Sequence, residues 1–198
     1  GRDPVKAGLR FFFSSRVQPE IRQELAAQIE AILSTGLTPW FINGHLNIHL
    51  HPRVWPLVQE LAREYNIFGV RLSHENLRIT LALNRQRPGY KMAHALIFVW
   101  LARRVQRAAR NRGFKVNDHL FGLLNDGQMD EDYLLGLLPQ LRPGVTEIYS
   151  HPALCSDTEL RRWMPGYRHQ DELAALLSPR IRQALVQNGL ELTNYQRF

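Results

Sequence analysis

The chain has 198 residues, 44% hydrophobic and 22% charged, which describes an ordinary globular protein with a sizeable core. Its formal charge of +7 comes from 25 basic residues, nearly all arginine, against 18 acidic ones, without any helix-turn-helix, zinc-finger or aromatic-glycine RNA signature. One cysteine, Cys155, excludes an internal disulfide framework, and no apolar run reaches the roughly 18 residues of a membrane-spanning helix.

In chain order, residues 1–16 are mixed, with the short apolar run LRFFFSS. QPEIRQELAAQIEAILSTG predicts an amphipathic helix. Pro19 suits its first turn, Ile21, Leu25, Ile29, Ile32 and Leu33 recur at helical spacing, and Gly36 suits its stop. FINGHLNIHLHP predicts a strand over 41–51 that ends at Pro52. Residues 52–65 predict a second helix and NIFGVRLSHE a strand. Residues 75–92 give no clear pattern, with NRQRPGYK as a loop. A long helix follows from Met92, apolar early and basic late. KVNDHLFGLL is strand-like, MDEDYLLGLLPQL a helix, GVTEIYSHPAL a strand and MPGYRH a turn. SPRIRQALVQNG is a helix with Ser178 as cap and Gly189 as stop, and LELTNYQ a closing strand. Alternating helices and strands predict an α/β domain with a mostly parallel sheet, a single domain over residues 1–198.

The strand over 41–51 carries the chemistry. Asn43, His45, Asn47, His49 and His51 fall at every second position, with Ile42, Gly44, Leu46, Ile48 and Leu50 between them. Successive strand side chains face opposite ways, so this pattern predicts one imidazole-rich face and one apolar face. Ligands in parallel α/β folds lie at the carboxyl ends of strands. Residues two apart on a strand are about 6.5 Å apart, while an imidazole must come within about 2.1 Å of zinc, so one strand offers one ligand, two at most. Asp118, His119, His74 and His169 are further candidates without an assigned place. Asp118 and His119, adjacent on a strand, would face opposite ways.

INGHLNIHLHP resembles the D/N-G/S-H-x-H-x-H element of the YdjC-like carbohydrate deacetylases. NDHLFGLLNDGQM, RPGVTEIYSHPA, MPGYRHQDELAALLSP and the opening VKAGLRFFF are similar to the branch associated with hopanoid biosynthesis. The resemblance implies a TIM-barrel-like (β/α) fold and metal-dependent removal of an N-acetyl group from an amino sugar, here an N-acetylglucosaminyl hopanoid lipid. It implies a divalent ion, magnesium or zinc, with His45 and His49, the first and third motif histidines, as candidate metal ligands. It places His151, in SHPA, near the reaction centre as an acid or substrate contact. Two departures accompany it. Asn47 replaces the middle histidine, and an amide is a poor transition-metal ligand. The ADDFG-like and GLHL-like strands that open family members do not occur, so the expected barrel lacks its first strands and the chain is expected to bind metal weakly and to be impaired.

Alternatives stay open: a catalytically inactive sugar- or lipid-binding domain, or a basic membrane-surface protein. The last rests on Arg103, Arg104, Arg107, Arg110 and Arg112 late in the long helix, where cations also suit the negative end of the helix dipole. The expected location is cytoplasmic, with contact to the inner membrane surface as an option. Trp40, Trp55, Trp100 and Trp163 are expected to pack in the core or at an interface, with a sugar-stacking platform as the alternative, and Tyr167, Arg168 and His169 of the MPGYRH turn are candidates to line a substrate groove.

Overall fold

A computed structural model describes residues 17–154 and 158–198, so the LRFFFSS run, the VKAGLRFFF segment and Cys155 lie outside the described residues. In chain order the elements are α1 (Gln18–Leu33), β1 (Phe41–Ile42), a 3-10 segment (His45–Leu50), α2 (Trp55–Glu64), β2 (Gly69–Val70), α3 (Leu77–Leu83) and α4 (Pro88–Asn111). Then follow β3 (Lys115–Val116), β4 (His119–Phe121), α5 (Glu131–Leu137), β5 (Thr146–Ile148), α6 (Thr158–Trp163), α7 (His169–Leu177) and α8 (Pro179–Gln187). Helices are interspersed with short strands, and among the described residues the strands pair in parallel, as the α/β reading expects. The residues group into two compact units.

Of the described residues, the first unit holds 17–73, 100–116 and 194–198. Its sheet runs β1-β2-β3, with Phe41 opposite Gly69, and Val70 opposite Ile42 and Val116. Gly69 is required by close approach: a Cβ there would lie 2.6 Å from that of Phe41 and 2.8 Å from the Tyr195 ring. Behind the sheet Leu50, Val54, Trp55, Val58, Val70, Leu72, Val105 and Phe114 form the core. Each fully buried aliphatic side chain stabilises such a core by about 1.5–3 kcal/mol. Leu25 and Ile29 of α1 pack against it, while Ile32 and Leu33, placed on the same face by their spacing, are exposed.

The second unit holds 74–99 and 117–193. β4 and β5 pair with His119 opposite Thr146 and Phe121 opposite Ile148, and Glu75 bridges to Leu120. Phe121, Met129, Tyr133, Leu134, Leu137 and Ala175 pack together, and Ala95, Leu120, Leu123 and Leu124 form a second cluster. The helices start where the chain supplies caps. The Asn76 side chain accepts from the Arg78 and Ile79 amides, Asp130 from Tyr133, and Ser178 from Arg180 and Ile181.

Three expectations are corrected. The strand over 41–51 stops at Ile42, and left-handed Leu46 and Asn47 turn the chain within the segment that follows. LELTNYQ is not a strand: Leu192 is 80% exposed, and Tyr195 lies in a turn, stacked on Phe41 at 4.6 Å. The long helix begins at Pro88, four residues before Met92, because a proline lacks the amide hydrogen that the first helical turn does not need. Of the tryptophans, Trp55 packs in the core as expected, and Trp40, Trp100 and Trp163 are exposed.

Candidate active site

After Ile42 the chain leaves the extended form. Leu46 and Asn47 adopt the left-handed conformation, with φ of 52° and 57°. Asn is among the residues that accept this region most readily, and its Oδ1 receives a 2.5 Å hydrogen bond from the buried Ser73 hydroxyl. The Asn47 amide donates to the Gly44 carbonyl, closing the turn. The alternation of faces is therefore lost. Leu46 is 58% exposed, whereas His49, expected on the polar face, is 2% exposed.

His49 spends both ring nitrogens inside the protein. Nδ1 accepts from the Gly44 amide at 2.9 Å, and Nε2 donates to the Arg71 carbonyl at 2.8 Å. A Cβ at position 44 would lie 3.1 Å from Nδ1, so the glycine lets the backbone approach. Burial lowers the His49 pKa to about 4 and keeps the ring neutral, against the opposing hydrogen bond to Arg71. His45 opens the turn and is exposed. An apolar cavity of about 190 Å³ in this unit is lined by Leu25, Ile29, Phe41, Ile42 and Val58 among others, with neither histidine in its wall.

The second unit assembles a denser constellation from the segments that follow β4 and β5. These strands are parallel neighbours, so their carboxyl ends point the same way. Beyond β5 the Tyr149 amide still donates to the Phe121 carbonyl at 3.1 Å; then Ser150, His151 and Pro152 leave the sheet. Beyond β4 the turn Asn125–Gln128 is closed by the Gln128 amide on the Asn125 carbonyl and by Asn125 Nδ2 on the Gln128 carbonyl, at 3.0 and 2.7 Å. Gly127 in this turn has φ of +72°, and a Cβ there would lie 2.4 Å from the Tyr167 ring. The Tyr167 hydroxyl donates to Asp126 Oδ2.

His151 is fixed from three directions. Its amide donates to Glu172 Oε2 at 2.6 Å, and its carbonyl accepts from His169 Nδ1 at 2.5 Å. Its own Nδ1 lies 3.3 Å from Asp126 Oδ1, close enough for attraction but off the line of a hydrogen bond. Glu172, fully buried, also accepts the Met129 amide at 2.9 Å, so one carboxylate ties together the segments after β4 and β5. Gln128 donates to the Gly166 carbonyl and Arg168 pairs with Asp130 and Asp171, closing the turn of MPGYRH over this cluster. Burial raises the Asp126 pKa, opposed by the Tyr167 hydrogen bond and by His151. Burial also raises that of Tyr167, so its hydroxyl stays protonated and able to donate.

Two further buried groups stand next to this cluster. Glu75 accepts from the Leu123 and Leu124 amides and from the Thr80 hydroxyl. Lys91, also buried, donates to the Asn84 carbonyl at 2.7 Å and reaches Asn125 Oδ1 at 3.5 Å; burial lowers its pKa.

Of the residues singled out in the sequence, His45 and His49 lie in the first unit and His151 in the second. Tyr167 and His169 join His151, with ring centroids 5.1 Å apart for His151–Tyr167 and 5.6 Å for Tyr167–His169. Asp118 accepts the Val145 amide at 2.9 Å and serves the loop before β5. Asp126 and Glu172 escape sequence reasoning. The signal for Asp126 is an Asn-Asp-Gly turn a few residues past a strand; Glu172 follows Asp171 in an ordinary acidic first helical turn.

A divalent ion would need about three protein ligands. Among the described residues no group of three His, Cys, Asp or Glu side chains is placed to hold one, and both His49 nitrogens are engaged. The donor set present does not fit a complete metal shell. Likewise, among the described residues no helix is long and apolar enough to cross a membrane.

A model of the YdjC-like protein family matches residues 2–187. The chain belongs to the YdjC-like family. Among similar sequences, a carbohydrate deacetylase of Geobacillus stearothermophilus is 26% identical over 180 residues, covering 90% of this chain and 60% of that protein. A carbohydrate deacetylase of Vibrio parahaemolyticus is 24% identical, covering 88% and 57%. A crystal structure of an Enterococcus faecalis protein named for cellobiose-phosphate cleavage shares the fold, with a TM-score of 0.62 at 22% identity over 90% of this chain and 60% of that one. The chain thus spans about three fifths of the length of these relatives.

Proposed function

We propose that this chain carries part of a site that removes the N-acetyl group of an amino sugar, with His151 as the proton donor. In such a hydrolysis water adds to the acetyl carbon, the carbon–nitrogen bond breaks, and the departing amine takes up a proton. An imidazole is a side chain suited to that last transfer. His151 stands beyond the carboxyl end of β5, the usual place for chemistry in parallel α/β folds. Glu172 and His169 clamp its backbone on both sides. The observation that carries the proposal is this clamped histidine, in a chain that matches carbohydrate deacetylases along 90% of its length.

The finer substrate we assign is an N-acetylglucosaminyl hopanoid lipid, supported by the likeness of NDHLFGLLNDGQM, RPGVTEIYSHPA and MPGYRHQDELAALLSP to that branch. Exposed Arg103, Arg104, Arg107 and Arg110 on α4, with exposed Trp100 before them, fit contact with an anionic membrane carrying such a lipid. Toward a divalent ion the chain offers the exposed imidazole of His45, with His49 holding the turn on which it sits.

The test is acetate release from N-acetylchitooligosaccharides and from an N-acetylglucosaminyl hopanoid at millimolar zinc or magnesium. The expected outcome is release that falls by about 10²–10⁴ in His151→Ala. Wild-type protein that releases no acetate from either substrate, or His151→Ala that matches wild type, refutes the proposal. A second reading, a sugar-binding domain without catalysis, is favoured by the missing three-ligand cluster among the described residues. Saturable sugar binding without acetate release would select it.

A further inference from the structure

Two buried polar atoms of the second unit, Asp126 Oδ1 and His151 Nδ1, face each other at 3.3 Å, and among the described residues neither makes a hydrogen bond. The rest of each residue is tied down. Asp126 Oδ2 receives the Tyr167 hydroxyl, and the Tyr167 ring lies against the space that Gly127 leaves empty. The His151 backbone is held by Glu172 and His169. What remains adjustable is the rotation of two short side chains, and a small one brings Nδ1–H onto Oδ1. Catalytic hydrogen bonds are often long and poorly aligned before substrate arrives.

We infer that Asp126 is the positioning residue for His151: it holds the proton on Nδ1, so that Nε2 is the nitrogen that exchanges protons with the substrate, and Tyr167 anchors the carboxylate in that role. The inference rests on His151 being the proton donor. The titratable groups facing the His151 ring or backbone are Asp126 and Tyr167 from the two loops, Tyr149 from its own segment, and His169 and Glu172 from α7. Glu172 spends its oxygens on the Met129 and His151 amides, and His169 Nδ1 donates to a carbonyl. Asp126 is thus the carboxylate of this set with an oxygen turned toward the ring. A nearby anion favours the imidazolium and selects the tautomer with Nδ1 protonated. Tyr167 keeps that anion from rotating toward water.

The experiment is an NMR titration of the His151 ring nitrogens in wild type, Asp126→Asn and Tyr167→Phe, beside pH–rate profiles of acetate release. In wild type the neutral ring carries its proton on Nδ1. In Asp126→Asn the His151 pKa falls by about one pH unit, the tautomer preference is lost, and kcat falls tenfold or more while KM holds, since a removed anion acts on the charged ring and not on sugar binding. Asp126→Glu restores part of the shift. Tyr167→Phe moves the pKa the same way by a smaller amount. An unchanged His151 titration in folded Asp126→Asn overturns the inference; should that variant not fold, an unchanged titration in Tyr167→Phe overturns it. The titration needs no turnover, so a wild type that releases no acetate sinks the functional proposal alone. An active enzyme with an unmoved titration sinks only the pairing.

Discussion

The His151 amide donates to Glu172 Oε2 at 2.6 Å, and the other oxygen of the same buried carboxylate takes the Met129 amide at 2.9 Å. One α7 side chain thereby sets the spacing of two loops that leave adjacent parallel strands. Glu172→Gln keeps the shape but offers one accepting oxygen, so one of the two amides loses its acceptor. We expect a loss of about 1–3 kcal/mol in urea unfolding, the usual cost of an unsatisfied buried donor, together with a drop in kcat. A Glu172→Gln protein as stable as wild type would show that the carboxylate does not hold the loops.

Gly127 gives a second lever on the same cluster. Alanine there must adopt a left-handed φ of +72° and push its methyl into the Tyr167 ring. The strain and displacement should cost about 1–3 kcal/mol, and Tyr167 should lose its contact with Asp126. The check is the stability of Gly127→Ala beside its His151 titration, which should resemble that of Tyr167→Phe.

The buried His49 makes stability depend on pH with a definite sign. Its pKa is lowered to about 4 in the fold, against about 6.5 when unfolded. Between those values the unfolded chain binds the extra proton, so stability is full above about pH 6.5 and falls as the pH drops toward 4. The whole loss is about 3 kcal/mol. Buried Glu75, whose pKa is raised, works in the opposite direction in both proteins of the comparison, so the variant isolates His49. Urea midpoints at pH 7 and pH 5 should separate for wild type and lie closer together for His49→Gln. Equal separations in the two would place the titration elsewhere.

His45 and His49 should respond differently to zinc. With both His49 nitrogens occupied, calorimetry on the chain should show binding weaker than micromolar, abolished in His45→Ala. In His49→Gln the remaining weak binding should persist. Micromolar or tighter binding by the wild-type chain would refute this.

Much of the fold was open to a reader of the sequence because it is locally determined. Pro19, the helical spacing from Ile21 to Leu33 and Gly36 mark α1, and Ser178, Pro179 and Gly189 mark α8, without tertiary help. Where long-range contacts decide, pattern misled. Residues 41–51 alternate as a strand does, yet the bonds of His49 to Gly44 and Arg71 curl them into a turn and bury the histidine. LELTNYQ has the residues of a strand, but Tyr195 is committed to stacking on Phe41. In the candidate site His151 stood out through its Ser-His-Pro setting. Asp126 reads as part of a turn and Glu172 as one of several helix acids, and only their bonds, to Tyr167 and to the two loop amides, tell them from neighbours such as Asp171.

The left-handed pair Leu46 and Asn47 bears on how this motif can vary. At position 47 the main chain tolerates few residue types, and asparagine and histidine are both among those that take such a bend with ease. Exchanging one for the other therefore leaves the loop path intact while changing what its tip can bind. A saturation library at this position, sorted for folding alone, should keep asparagine, aspartate, histidine and glycine and discard the β-branched residues. The geometry of the bend narrows the alphabet before any chemistry selects within it.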